Sequence, residues 1–224
     1  TPACRQRLVD QANEIVHGQV RLFSGEPRPL RLAVPGRQGH WSFARLQPEN
    51  PHDPVESDVK LVWETGRFGW AITLARAYYL TGDENYARLF WSYSEAFTAA
   101  NPPNQGLHWF SGQEVALRLI ALSFALHLLA GSRHTTSARL EKLTWYLAAH
   151  AERIPATISY ARAQNNNPLL SEGAGLYTAA VLLPAHPSAE SWREEGWHAV
   201  HQVLQTQFAE DGAYVQHSTN YHRL

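Results

Sequence analysis

Residues 119–130, LIALSFALHLLA, place apolar side chains on more than one face of any helix they form. A helix covered on one side only would show a single stripe, so this segment asks for neighbours on both sides, an inner and an outer layer of helices. It belongs to a longer run, GQEVALRLIALSFALHLL, that opens after Ser111 and is closed by Gly131. Arg118 and His127 interrupt that run. No stretch therefore approaches the roughly 20 apolar residues that span a bilayer, and no membrane partner is expected.

The same period extends in both directions. Asp58 can cap a helix carrying Leu61, Val62, Phe68, Ile72, Ala75 and Tyr79, with Gly82 as its stop. Asp83 caps the next, which carries Tyr86, Phe90, Tyr93 and Phe97 and ends at ANPP. A further helix covers about 137–154, with Leu140, Leu143, Leu147 and Ile154 at helical spacing before Pro155. Two more are expected over about 167–183 and 188–208. A first helix near the N-terminus precedes a Pro- and Gly-rich extended segment at 24–57. No strand-like alternation competes. Short turns between long helices imply antiparallel hairpins, so the expected class is all-α. An incomplete (α/α) toroid is favoured over a solenoid or ordinary bundle. The expected division is an N-terminal helix plus extended segment over 1–57 and the toroid over 58–224.

Composition narrows the partners. Nineteen Lys and Arg against 20 Asp and Glu leave a net charge of -1, so nothing in the bulk charge asks for nucleic acid. Among 224 residues, 44% are hydrophobic, which excludes a disordered chain. One cysteine, Cys4, can form neither an internal disulfide nor a Cys-rich zinc site. There is no methionine and the first residue is Thr1, as in a trimmed chain. The last residues, DGAYVQHSTNYHRL, carry no helix stop or polar tail, and the C-terminus is expected to be a cut.

Four constellations can carry chemistry. In QNNNPLLSEGAGLYTAA, Asn167 and Pro168 suit a helix start, but one cap needs one Asn. Three in a row leave a carboxamide able to donate outward at a positive helix end. In EDGAYVQHSTNYHRL, Tyr214 and Tyr221 stand beside His217, His222 and Arg223. A Tyr works as acid or base near neutrality only when cations or donors stabilise its phenolate. In DVKLVWETGRFGW, Trp63 and Arg67 are four apart and Glu64 and Arg67 three apart, which also fits a plain ion pair. In GLHWFSGQEVALR, His108 and Trp109 precede Glu114 and Arg118, an i, i+4 pair that ordinarily stabilises a helix. Phosphate loops, G-x-S-x-G, H-E-x-x-H and Cys pairs are missing from the sequence. His198 and His201 read as a surface helix face, and no metal or cofactor is expected.

Taken in order, DVKLVWETGRFGW, LTGDENYA, NPPNQGLHWFSGQEVALR, NNNPLLSEGAGL and DGAYVQHSTNYHRL resemble the helical N-terminal domain of the heparinase II/III-like polysaccharide lyases. The resemblance covers residues 58–224. It implies an incomplete α/α toroid followed by a β-sandwich domain, a partner that this chain does not contain, with cleavage at the junction. It also implies β-elimination on a uronic-acid polysaccharide, an acidic glycan of glycosaminoglycan or alginate type. The uronate carboxylate beside C5 must be neutralised before its proton can leave, a base takes that proton, and an acid protonates the departing oxygen. By the family motif Asn167 is the neutraliser and Tyr221 the acid and base, 54 positions apart. A further His is expected from the sandwich. Many relatives place His after the Asn pair where this chain has Pro168, which tilts the likeness towards the heparinase III arrangement. Asn166, Trp63, Arg67, Trp109, Glu114, Arg118, Glu172, His217 and His222 are the candidate substrate contacts. A polymeric substrate implies a periplasmic or secreted protein. The chain alone is expected to be inactive or weakly active. Two other readings stand beside this one: a glycoside hydrolase using carboxylates among Glu64, Glu114 and Glu172, and a non-catalytic glycan-binding domain.

Overall fold

The computed structural model describes residues 1–34, 39–44 and 58–216. The all-α class holds. In chain order the elements are α1 (Pro2–Val16), a hairpin of β1 (Gln19–Arg21) and β2 (Pro27–Pro29), α2 (Val59–Gly66), α3 (Gly69–Thr81), α4 (Glu84–Ala100), α5 (Gly112–Leu129), α6 (Ser137–Arg153), α7 (Pro155–Gln164), α8 (Asn167–Leu182) and α9 (Ala189–Thr206). The three-residue strands pair antiparallel, Val20 opposite Arg28, in a segment expected to lack strands. The chain divides into two compact units, residues 1–110 with 121–143, and 111–120 with 144–224.

In the first unit, α3 and α4 are antiparallel about Gly82, whose φ of 71° closes α3. Asp58 and Asp83 accept from Lys60 N and Asn85 N at 2.9 Å, the expected caps. Helix α1 is tied to this pair. Tyr86 Oη donates to Asn13 Oδ1 at 2.9 Å and Arg5 donates to the Leu80 carbonyl at 2.9 Å. Cys4 is free and exposed on α1.

The single helix expected over 58–81 breaks at Phe68, which adopts φ 62° between α2 and α3. That left-handed geometry costs a non-glycine residue about 1–2 kcal/mol. Burying the ring returns about 1.5–3 kcal/mol. Phe68 is fully buried, 4.6 Å from the Trp70 ring and 4.8 Å edge-on from Phe97. The hydrophobic term wins, and the expected face does not run through the break: Leu61 and Val62 are only partly buried and Tyr79 is exposed, while Phe68 and Ala75 are buried.

In the second unit, α8 and α9 run antiparallel at close range. A Cβ on Gly196 would stand 2.7 Å from the Gly173 carbonyl oxygen and 2.7 Å from Tyr177 N. Helix α7 was not expected. Pro155 read as a stop for α6, but proline is favoured at the first turn of a new helix, and here it starts α7 while Ile158 and Ala161 supply buried contacts. One further correction concerns α5. By length and composition it could cross a membrane, with a mean hydropathy of 1.3, although the sequence reading found no such run. It is 61% buried inside the protein and carries buried Glu114 and Arg118, as a core helix does.

Candidate active site

The Asn run sits at the junction of α7 and α8, in the second unit. Asn165 ends α7 in the left-handed region, φ 48°. Asn166 is extended and is the cap residue of α8, while Asn167 is its first helical residue, one position from the expected cap. The cap forms no side-chain bond. Asn166 Oδ1 is buried without a partner, and Asn167, 7% exposed, lends its backbone carbonyl to Ser171 Oγ at 3.3 Å and, among the described residues, forms no side-chain bond. Neither carboxamide is consumed in starting the helix. Two amide groups thus stand at the positive end of α8, where an anion is favoured.

The second unit also holds a buried polar cluster. Arg118 Nε donates to His150 Nε2 at 2.8 Å, and His150 Nδ1 lies 2.7 Å from the Tyr146 carbonyl. The two contacts fix the tautomer, because a carbonyl needs a donor and Arg offers only donors. Burial, with the Arg118 charge, pushes the His150 pKa well below its usual range, so the ring is neutral. Arg118 has no exposed surface, and desolvation lowers its pKa while Tyr146 and Glu114 oppose that. In this conformation Arg118 and Glu114 lie out of reach of a polymer.

Glu172 forms a second buried group. A Cβ on Gly112 would fall 2.6 Å from Glu172 Oε1 and closer still to Thr157 Oγ1, so the first residue of α5 must lack a side chain for this packing. Arg153 donates to Thr157 Oγ1 at 3.2 Å. Burial pushes the Glu172 carboxyl up to about 7, with Arg153 pulling it the other way. Desolvation brings Arg153 down to about 10. Glu172 Oε2 is buried without a hydrogen-bond partner, which fits a protonated acid better than a carboxylate.

The first unit holds the remaining described candidates. Trp63 is half-buried and donates to the Leu107 carbonyl at 3.0 Å. Arg67 pairs with Glu64 at 2.9 Å, the plain ion pair that the spacing allowed. Trp109 is fully buried, its indole donating to the Asn101 carbonyl at 3.3 Å, so its faces are closed to sugar. A cavity of about 140 Å³ in this unit is lined by Gln11, Glu14, Arg21, Glu64 and Trp70, with neither Trp63 nor Arg67 among its walls. His198 and His201 are exposed on α9. Tyr221, His217 and His222 lie outside the described residues.

Sequence reasoning missed His150, Arg153 and Gln207. His150 did leave a signal, a polar residue in phase with Leu143 and Leu147 on the buried face of α6. Gln207, 1% exposed, donates to the Asn166 carbonyl at 3.2 Å, a contact across 41 positions that no local pattern announces.

An all-α chain of paired helices has counterparts of known structure. A solved structure of heparinase III superposes with a TM-score of 0.72 at 20% identity, covering 93% of this chain and 33% of that one. Heparan sulfate lyase HepC from Pedobacter heparinus gives 0.67 at 21% identity, covering 92% and 30%. These likenesses show the fold, and the α/α toroid class agrees with them. A curated heparin-sulfate lyase from Bacteroides thetaiotaomicron is 25% identical over 172 residues, 76% of this chain and 24% of its own length. The chain thus spans a quarter to a third of these relatives. The Heparinase II/III N-terminus family matches residues 45–224, and the chain belongs to that family.

Proposed function

We propose that this chain is the helical part of a polysaccharide lyase that cleaves a uronate-containing glycosaminoglycan by β-elimination. The observation that carries the reading is the pair of amides at Asn166 and Asn167, which make no cap bond at the positive end of α8. A uronate carboxylate seated there is neutralised by N–H donors and the helix end, which makes its C5 proton removable. Asn167 is the neutraliser and Asn166 a substrate contact. Tyr221 takes the proton and returns one to the leaving oxygen, with His217 and His222 as nearby residues in the sequence that suit its phenolate. Trp63 and Arg67 are glycan contacts, by stacking and by charge. The buried Arg118, Glu114 and Glu172 support the fold of the second unit.

The relatives' length supports a further domain in the whole protein, for which a β-sandwich is the reading. A polymeric substrate is the ground for reading the protein as periplasmic or secreted. The test is the full-length protein on heparan sulfate and other uronate glycans. A 4,5-unsaturated product, seen as new ultraviolet absorbance and lost in Asn167→Ala and Tyr221→Phe, is the expected result. Saturated ends alone would exclude elimination. A hydrolase reading draws on Glu172, a carboxyl that keeps its proton near neutrality as a general acid must. Turnover that survives Tyr221→Phe but not Glu172→Gln would favour it.

A further inference from the structure

We infer that Gln207 is a positioning residue for the amide pair, tying the start of α8 to the segment of chain that leads towards Tyr221. The inference rests on the roles proposed above for Asn167 and Tyr221.

Gln207 is the residue that ends α9, and its side chain is almost wholly buried. Its Nε2 donates to the Asn166 carbonyl at 3.2 Å and to Asn165 Oδ1 at 3.4 Å. Its Oε1 accepts from Tyr214 Oη at 3.0 Å. The orientation of the amide follows from its partners. The Asn166 carbonyl can only accept, so the nitrogen must face it, which leaves Oε1 for the one partner able to donate, the phenol.

One end of this bridge falls on the Asn run and the other on Tyr214, in the stretch of chain that precedes Tyr221 in the sequence. On one side, the bonds hold the backbone carbonyl of Asn166 and the side chain of Asn165, whose Oδ1 also accepts from Thr206 Oγ1 at 3.5 Å. On the other side, the chain after Gln207 doubles back on itself. Phe208 bridges Tyr214, Gly212 turns with φ 82°, Ala213 N bonds Asp211, and Val215 N returns to the Gln207 carbonyl at 2.8 Å. Tyr214 lies seven positions ahead of Tyr221. One buried carboxamide therefore links the backbone at the start of α8 to the turn at 207–215, which precedes Tyr221 in the sequence. A buried side chain with three hydrogen bonds to two separate segments does more than end a helix, because the backbone of α9 already closes with Gln207 N on the Val203 carbonyl at 2.8 Å.

The experiment uses the full-length protein and the unsaturated-product assay. Gln207→Met keeps the side-chain volume and removes all three bonds; Tyr214→Phe removes one. Gln207→Met should lower kcat about 100-fold, the scale of a misplaced catalytic group. Its KM should stay within about threefold, since binding of ground state and transition state is not lost equally. Tyr214→Phe should lose about tenfold in kcat, and the double variant should be no worse than Gln207→Met, as residues acting through one bridge are non-additive. A raised KM with wild-type kcat, or additive losses in the double variant, would overturn the assignment. If Gln207→Met does not fold, Tyr214→Phe decides: wild-type kcat there also overturns it. Asn167→Ala is run alongside. An active Asn167→Ala would sink the lyase reading itself, whereas an inactive Asn167→Ala with an undiminished Gln207→Met would sink only the role of Gln207.

Discussion

Burial moves the proton affinities of Glu172 and His150 in ways that oppose each other across the mildly acidic range. Glu172 titrates at about 7 in the fold against 4.5 in an open chain. Between those values the unfolded chain has lost the proton that the native state keeps. Its contribution to stability is thus full below about 4.5 and gone once the pH has risen through about 7. His150 is held neutral in the fold, below its ordinary 6.5. Its contribution is present above 6.5 and lost as the pH falls further, when only the unfolded chain takes the proton. Glu172→Gln removes the first effect and leaves the second. Relative to the parent, this variant should gain about 2.5 kcal/mol of stability between pH 5 and pH 8. Denaturant unfolding of both proteins at the two pH values measures it. A difference independent of pH would mean that Glu172 is ionised in the fold.

Among the elements, the pairing of α8 with α9 is the one with least slack. Gly196 faces the backbone of Gly173 and Tyr177, so an added methyl meets atoms that no rotamer change can remove. Gly196→Ala should destabilise the protein by about 1–3 kcal/mol, the cost of overpacking a filled interface. Gly131 is the control, since nothing lies within 4 Å of its Cβ position and its φ is not in the left-handed region. Gly131→Ala should change stability by less than about 0.5 kcal/mol. Thermal unfolding of the two variants separates the cases, and equal losses would show that α8 and α9 are not as close as described. Because α8 carries Asn167 at its first turn, Gly196→Ala should also lower turnover, through displacement of the helix start. The contrast shows why two glycines in helical surroundings differ: one keeps two backbones together, the other follows a helix end.

At the scale of the whole molecule, the helical class was legible because buried positions recur at three and four residues in α4, α6 and α9, while α5 and α8 are buried on more than one face. What escaped was decided by contacts that local spacing does not encode. Phe68 breaks a helix because its ring finds Trp70 and Phe97, and Pro155 starts a helix where it read as an end. The candidate site divides the same way. The Asn run and the family motif were legible as residues, but that the cap would leave its amides unspent was not. Arg118 and Trp109, chosen for charge and aromatic surface, turned out to be buried, a property set by neighbours 32 and 8 positions away, His150 and Asn101. Gln207 gave no signal, being one amide among several near a helix end. The exposed Cys4 has a consequence of another kind. With no methionine among its 224 residues, this chain carries one sulfur atom, and that atom lies outside the core. Peroxide can turn Cys4 into a sulfenic acid or beyond, but it finds no thioether in the interior to convert into a polar sulfoxide, so oxidative damage to this chain begins at its first helical turn and leaves the packing between helices untouched.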